Sequence, residues 1–302
     1  MATNAIPIRF MSEDAPRAEY RKRGSKKSKG MHWGQRKLLM NEIEFLTMYG
    51  RPGRTVVYAG SAPGTHTEYM SRVLFPEMKM VLVDPRAFDA KTNERITVRQ
   101  EFFTDDLARE FAGQDVLFIS DIRTEPNDDE HCAADMAAQM RWHCIMHPAA
   151  SMFKFRLPWT AGQTEYLAGA VSMQPYGHPQ TTETRLIVSA EDGMQMRMWD
   201  NKKYEQQCFF FNTVTRLAPH PHRIKGAGLN SSWDCAAEVH ILREYLASRG
   251  GRWAELSVRE QDARISKLSW ALSVDAHACK PRAGCVARGP AARALARARG
   301  RA

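Results

Sequence analysis

Short apolar runs alternate with amphipathic stretches along most of the chain. The runs are four to eight residues long and rich in β-branched residues, so they predict buried strands. They cover residues 55–58, 80–83, 96–103, 115–121, 151–157 and 183–189. Helical spacing of apolar residues is found over residues 38–48, 66–75, 128–147, 233–248 and 252–272. The alternation predicts an α/β fold: an open, doubly wound, mostly parallel sheet with helices on both faces.

A glycine-containing turn connects the first predicted strand to a helix. Gly60-Ser-Ala-Pro-Gly64 follows the strand without a polar spacer, and the helix begins near His66. Glycines at such a turn let the backbone approach a ligand closely. Asp84 ends the next strand, 20 residues after Gly64, where an acid can bind ribose hydroxyls. The loop alone is compatible with an ordinary turn, but together with Asp84 it indicates a nucleoside-type cofactor.

Lysine is unusual inside the apolar run Met152-Phe-Lys-Phe155. Burying an unpaired ammonium group is costly, so Lys154 needs carboxylate partners or a function. The alternative is a lysine that reaches solvent from the open face of an edge strand. Lys37, Asp121 and Glu183 also lie at or near the ends of predicted elements. These four residues are the candidate catalytic group.

Composition and charge favour a phosphate-rich partner. The chain has 302 residues, 43% of them hydrophobic, a formal net charge of +9 and a pI of about 9.3. No apolar run reaches 18 residues and the first 30 residues lack a signal-peptide core, so we expect no membrane span and no secretion. The six cysteines include no Cys-x-x-Cys pair, which indicates reduced thiols, no metal site and a cytoplasmic location.

Both ends of the chain differ in composition from its middle. Residues 1–30 are expected to form a basic mobile arm, with six cations between Arg21 and Lys29. Such an arm can contact RNA phosphates, and a nuclear-import signal is a further possibility. Residues 31–275 are expected to form one domain. Residues 276–302 are expected to form an Ala/Arg-rich disordered tail, with six arginines between Arg282 and Arg301.

Six motifs between about residues 31 and 250 occur in a distinctive order: Gly34-Gln-x-Lys-Leu-Leu39, Val57-Tyr-x-Gly-Ser-Ala-Pro-Gly-Thr-His66, Ser120-Asp-x-Arg123, Pro148-x-Ala-Ser-x-x-Lys-x-Arg156, Gln174-Pro175 and Glu183-x-Arg-Leu186. In order and spacing they resemble the poxvirus cap-specific mRNA 2′-O-methyltransferase family of large DNA viruses, whose members also serve as the small subunit of poly(A) polymerase.

The resemblance implies a Rossmann-like fold that binds S-adenosylmethionine (SAM). It places Lys37, Asp121, Lys154 and Glu183 at the family's catalytic positions. A ribose 2′-hydroxyl attacks the SAM methyl group only once its proton is removed, and a lysine with a lowered pKa can remove it. We therefore expect Lys154 to be the general base, tuned by the other three residues. The implied cofactor positions are Gln35, Tyr58, Gly60, Gly64, Asp84, Arg86, Phe103 and Asp121.

A cap-binding pocket is also implied. Trp159 stands where the family stacks an aromatic ring on 7-methylguanine, and Glu205 is placed to accept hydrogen bonds from the guanine edge. A plain core or rim aromatic is the alternative for Trp159. The other candidate RNA contacts are Tyr20, Arg123, Arg156 and Tyr204. Ala161 replaces a carboxylate and Gln180 an aromatic residue of the family, which predicts weaker cap selectivity.

Three functions follow from these expectations. The first is SAM-dependent 2′-O-methylation of the first transcribed nucleotide of capped mRNA, without metal or membrane. The second is an RNA-binding processivity subunit that assembles with a poly(A) polymerase catalytic subunit. The third is methylation of ribosomal or transfer RNA, against which Trp159 and Glu205 favour cap binding. If the chain is viral, its location is the host cytoplasm or the virion.

Overall fold

The computed structural model describes residues 7–21, 33–125, 128–224, 229–274 and 276. Its strands are β1 (Phe10–Met11), β2 (Thr55–Ala59), β3 (Lys79–Val83), β4 (Ile96–Arg99), β5 (Val116–Ser120), β6 (Ala150–Phe155), β7 (Gln163–Leu167), β8 (Ala170–Ser172), β9 (Thr184–Ser189) and β10 (Met196–Asp200). Its α-helices are α1 (Gly34–Tyr49), α2 (Thr67–Tyr69), α3 (Asp105–Glu110), α4 (Asp129–Met146), α5 (Asn201–Thr213), α6 (Trp233–Ser248) and α7 (Val258–Val274).

An eight-stranded sheet in the order β1-β8-β9-β6-β5-β2-β3-β4 forms the centre of the fold. The five strands from β6 to β4 are mutually parallel, while β9 runs antiparallel between β6 and β8. The carboxyl ends of the parallel strands therefore lie at one edge of the sheet, together with the start of β9. The predicted mostly parallel α/β sheet is confirmed.

Helices cover both faces of this sheet. Successive side chains of a strand point to opposite faces. Accordingly, Val56 and Tyr58 pack in a hydrophobic cluster with residues of α1, α6 and α7. Val57 and Ala59 pack in a second cluster with residues of α3, α4 and α5. Two faces covered in this way explain why the central strands are continuous apolar runs.

Side-chain caps fix where several helices begin. Thr104, Asp128, Asp200 and Ser232 each accept a backbone N–H from the first turn of α3, α4, α5 and α6, respectively. Helix α1 begins without such a cap after Trp33 and has no acidic residue in its first turn. Trp33 has no side-chain acceptor, so it does not cap the N–H groups of that turn.

The N-terminal segment differs from the separate arm expected over residues 1–30. Strand β1 pairs with β8, and the buried Arg9 forms an ion pair with Glu44 of α1. Tyr20 packs edge to face on Phe209 of α5, with ring centroids 5.4 Å apart. The polar composition of this segment concealed these long-range contacts. Residues 22–30 lie outside the described part, as does the expected tail from residue 277 onward, whereas Ala276 is buried.

Two further differences concern strands. The third expected strand, over residues 96–103, ends at Arg99, because Phe102 and Phe103 lead into the capped start of α3. Strands β7 and β10 form a separate two-stranded antiparallel sheet that the sequence did not predict, because neither strand is a continuous apolar run. None of the described helices is long and apolar enough to cross a membrane.

Candidate active site

The four candidate catalytic residues meet at the carboxyl edge of the sheet. Asp121 follows β5, Lys154 lies near the end of β6, and Glu183 directly precedes β9. Lys37 extends from the first turns of α1. Lys37 Nζ is 2.8 Å from Glu183 Oε1, and Lys154 Nζ is 3.2 Å from Asp121 Oδ1. The structure thus joins them as two ion pairs, with side chains between 12% and 21% exposed.

Arg185 is a fifth charge in this group that sequence reasoning missed. Its Nη2 lies 2.6 Å from Asp121 Oδ1, and its side chain is 1% exposed. Its Nε donates to Gln174 Oε1, and Gln174 Nε2 donates to the backbone carbonyl of Glu183. An arginine next to the apolar run Leu186-Ile-Val188 was the available signal, by the same reasoning that selected Lys154.

The electrostatics of the group weaken the hold of Lys154 on its proton. Burial lowers the pKa of Lys154 below its usual value, and Arg185 and Lys37 add to that effect, while Asp121 and Glu183 oppose it. Burial raises the pKa of Asp121, but the neighbouring cations, Arg185 first, have the larger effect and bring it below its usual value. The pKa of Glu183 is likewise below its usual value. Three cations therefore face two ionised carboxylates, and loss of one lysine proton balances the charge.

The turn after β2 brings backbone to the same edge. Gly60 has a φ of +77°, and a Cβ at this position would lie 2.8 Å from the backbone nitrogen of Ile122, which follows Asp121. Only glycine fits this close approach between the turn and the end of β5. Gly64 also has a positive φ, of +67°. Both glycines therefore shape the loop next to the candidate catalytic group.

Asp84 at the end of β3 secures this loop. Its Oδ2 accepts the N–H of Ala62 at 3.1 Å, and Arg86 donates to both of its oxygens. Burial raises the pKa of Asp84, but the hydrogen bonds from Arg86 and Ala62 bring it below the usual value. Asp84 is 2% exposed, whereas the Arg86 side chain is 68% exposed. The carboxylate thus lies beneath an exposed arginine.

The other expected cofactor residues, Tyr58, Gln35 and Phe103, are buried or make contacts within the protein. Tyr58 is buried, and its hydroxyl donates inward to Glu42 Oε1 at 2.8 Å. Gln35, in the first turn of α1, accepts the hydroxyl of Thr65 through Oε1. Phe103 is 8% exposed and packs on Trp142 in the core, while the neighbouring Phe102 is 73% exposed. Phe102, which sequence reasoning missed, therefore offers the accessible ring.

Two expected cap-pocket aromatics both lie close to Thr182. The Trp159 ring is 43% exposed, and its Nε1 donates to Thr182 Oγ1 at 3.3 Å. Tyr20, 47% exposed, lines a shallow cleft with Gln180 and Thr182. The structure therefore brings together two accessible rings that are 139 positions apart in the sequence.

The guanidinium groups of the two expected arginine contacts face carboxylates inside the protein. Arg156 is buried, with its guanidinium 4.2 Å from the centre of the Trp159 ring and an ion pair to Asp129 at 2.8 Å. Arg123 is 7% exposed and faces Asp135 at 3.8 Å. Neither presents a free guanidinium to RNA; Arg156 instead supports one face of Trp159.

Tyr204 and Glu205 lie on α5 near this cleft. Tyr204 is buried, and its hydroxyl donates to the backbone carbonyl of Thr182 at 2.5 Å. Glu205 is 7% exposed and accepts a hydrogen bond from Lys202. Tyr204 thus fixes the segment that carries Thr182, and Glu205 places a buried negative charge on the same helix. Among the described residues, no group of three or more His, Cys, Asp or Glu side chains could hold a metal ion.

A family described as "Poly A polymerase regulatory subunit" matches residues 4–219, which is most of the chain. The chain belongs to this family. Two relatives, from Myxoma virus strains Lausanne and Uriarra, are each named "Cap-specific mRNA (nucleoside-2'-O-)-methyltransferase". Both are 31% identical over 211 residues, or 61% of this chain. The match spans 62% of the length of each relative.

A solved structure of bluetongue virus VP4, described as a "multifunctional RNA-capping production-line", is also similar. It gives a TM-score of 0.47 at 14% identity and covers 68% of this chain and 36% of that one. This likeness is too limited to bear on function. The regulatory-subunit family, the two viral relatives and the geometry of the site are the observations that bear on function.

Proposed function

We propose that the chain is a SAM-dependent cap-specific mRNA 2′-O-methyltransferase, which methylates the ribose of the first transcribed nucleotide of capped RNA. The observation that carries the proposal is Lys154, a largely buried lysine in an ion-paired group at the carboxyl edge of the sheet. The names of the two viral relatives support the reaction type. We place this activity in the cytoplasm, of an infected host if the chain is viral.

Lys154 is the proposed general base. When bound, SAM supplies a methyl group activated by its sulfonium. Lys154 takes the proton of the 2′-hydroxyl, for which its pKa must lie below that of an ordinary lysine, and burial lowers it in that direction. Asp121 holds its nitrogen in place, Arg185 in turn holds the Asp121 carboxylate, and the Lys37–Glu183 pair borders it. Placement of the hydroxyl against the methyl group then supplies most of the rate.

The residues present match the chemistry of SAM. The SAM carboxylate suits the uncapped start of α1, where Gln35 offers amide donors. The ribose hydroxyls suit the Asp84 carboxylate once Arg86 turns into solvent. The glycine turn lets the cofactor lie close to the backbone, and Phe102 offers an apolar surface for the adenine.

The 7-methylguanine cap is proposed to bind near Thr182, against Trp159 and Tyr20. A methylated, cationic base stacks strongly on an aromatic face. Glu205, which pairs with Lys202 in this structure, is the carboxylate proposed to accept hydrogen bonds from the guanine edge. Ala161 and Gln180 stand where the resembled family has a carboxylate and an aromatic. We therefore expect weaker discrimination between methylated and unmethylated caps than that family's pattern implies.

Methyl transfer to capped RNA, compared with the same RNA without a cap, tests this proposal. Lys154→Ala should lower the rate by about 100- to 10,000-fold, the usual contribution of a positioned base. SAM affinity, measured by calorimetry, should stay within about threefold of the parent. Lys154→Arg is the matched control, because it keeps the charge but cannot act as a base. Retention of more than about a tenth of the activity in either variant excludes Lys154 as the base.

A second candidate function is regulation of a poly(A) polymerase, which the family description favours. The net charge of +9 suits RNA binding in either role. Tail elongation by a poly(A) polymerase catalytic subunit, with and without this chain, tests it. If the two roles are separate, Lys154→Ala should stimulate elongation as the parent does. No stimulation by the parent protein would exclude this role.

A further inference from the structure

Glu42 and His66 form a buried pair beneath the glycine turn, and methyl transfer as proposed makes no use of them. Glu42 is 1% exposed and His66 is 4% exposed. His66 Nε2 lies 2.6 Å from Glu42 Oε2, and Tyr58 donates to the other oxygen of Glu42 at 2.8 Å. The charged and titratable groups that face His66 are Glu42 of α1, Tyr58 of β2 and Asp121 after β5.

Both ring nitrogens of His66 face oxygen acceptors. Nδ1 lies 3.2 Å from Gln35 Oε1, which also accepts the hydroxyl of Thr65 at 3.2 Å. A ring nitrogen donates only when it carries a proton, so both contacts are hydrogen bonds only in the imidazolium cation. Burial lowers the pKa of His66, but the Glu42 carboxylate, followed by Asp121, raises it above its ordinary value.

The protonation state of His66 decides how the Gln35 amide is oriented. With both nitrogens protonated, Oε1 of Gln35 is held towards His66, and none of the described residues accepts a hydrogen bond from its Nε2. When one proton leaves, Glu42 retains the Nε2 hydrogen because of the short contact. The bare Nδ1 then repels Oε1, and rotation of the amide relieves this by turning its donors inward and its oxygen outward.

We propose that His66 is a positioning residue for SAM: its protonated ring holds the donors of Gln35 towards the cofactor carboxylate, so loss of that proton weakens binding. The carboxylate is the anionic group of SAM, and Gln35 lies at the uncapped, positive end of α1. This inference rests on the proposed function, because SAM is the ligand that Gln35 serves.

Two measurements on the parent protein test the proposal. S-adenosylhomocysteine carries the same carboxylate, and its affinity can be measured by calorimetry between about pH 6 and pH 9.5. We expect the dissociation constant to rise about tenfold as His66 deprotonates, the cost of exchanging a favourable hydrogen bond for a repulsion. By linkage, saturating S-adenosylhomocysteine should raise the NMR-measured pKa of His66 by about one unit. The change of about tenfold in the dissociation constant and the shift of about one unit in the His66 pKa should agree. A merely structural role of His66 would produce neither of them.

Variants separate His66 from other titrating groups. His66→Gln and Gln35→Met should both lose the extra pH dependence, leaving only that of the ligand's own amino group. His143→Gln is the matched control, because His143 is buried against Ser151 and Gly193, away from the turn, and should keep the parent profile. If a variant fails to fold, the pH dependence of affinity and the His66 pKa measured on the parent protein still test the proposal.

Three outcomes overturn the proposal. The coupling is excluded if S-adenosylhomocysteine affinity has the same pH dependence in the parent as in His66→Gln, although His66 titrates within the measured pH range. A His66 that is already neutral below about pH 6.5 excludes the imidazolium. Absence of S-adenosylhomocysteine binding at every pH overturns the proposed function itself, and is thus distinguishable from binding without pH coupling.

Discussion

Replacing Arg185 by Gln should raise the pKa of Lys154 and move methyl transfer to more alkaline pH. Arg185 Nη2 and Lys154 Nζ lie 2.6 and 3.2 Å from the same oxygen of Asp121, so the two nitrogens are at most about 6 Å apart. At an effective dielectric constant of about 20, unit charges at that distance repel by about 2.8 kcal/mol, or about two pKa units. Because the glutamine removes this repulsion, we expect an increase of about one to two units.

The assay is the single-turnover rate of methyl transfer as a function of pH. In the parent, the rate should rise with pH until Lys154 is deprotonated and then level off. In Arg185→Gln, the rising part should move up by about one to two units. At neutral pH the variant should therefore be about 10- to 100-fold slower, and it should recover on the alkaline plateau.

Arg54→Gln is the control for this experiment. Arg54 is also buried and pairs with Asp115 at 2.7 Å, but it lies at the opposite edge of the sheet, before β2. Its replacement should leave the pH dependence where it is. A uniform loss of rate at every pH in Arg185→Gln, without displacement of the rising part, would refute the electrostatic role of Arg185.

Three further predictions concern ligands. Asp84→Ala should weaken SAM binding by about 10- to 150-fold, since hydrogen bonds to a charged group contribute about 1.5–3 kcal/mol, and an unchanged dissociation constant by calorimetry would contradict the cofactor site. Trp159→Ala should weaken capped-RNA binding by about 5- to 150-fold, because stacking on the ring contributes about 1–3 kcal/mol. Uncapped RNA should bind as before, and an equal loss for both RNAs would exclude a cap contact. Removing residues 277–302, which carry seven cations, should flatten the salt dependence of RNA binding. The same slope in the truncated chain would place the phosphate contacts on the remaining residues.

The central sheet was predictable because each of its strands can be recognised from its own residues. Strands buried on both faces read as continuous apolar runs, and the run that became β5 is buried at all five positions. Strand β1 has only two residues, half-buried, and its place depends on pairing with β8 and on the Arg9–Glu44 contact. Nothing within the segment itself specifies such pairing, which is why it was expected to be an arm.

The candidate site was predictable to the extent that its residues break a local pattern or match a motif. Lys154 interrupts an apolar run, and Lys37, Asp121 and Glu183 occur in motifs of the resembled family. Glu42 and His66 do neither, because a glutamate in a helix and a histidine after a turn are ordinary residues. Their pairing depends on how α1 packs beside the turn, and only the assembled fold brings these residues together.

The register of β6 and β9 gives a physical reason to regard this edge of the sheet as functional. Lys154 is the direct neighbour of Arg185 across the two antiparallel strands. Like charges at such positions destabilise a sheet, and here both side chains are largely buried, which adds a cost of desolvation. Asp121 lies against both cations and makes the arrangement tolerable, but two apolar side chains would pack there at lower cost. A fold that keeps two facing cations in its core therefore sacrifices stability at this position. The effect it obtains, a lysine with a lowered pKa beside the glycine turn, is the property that proton removal from a ribose hydroxyl requires.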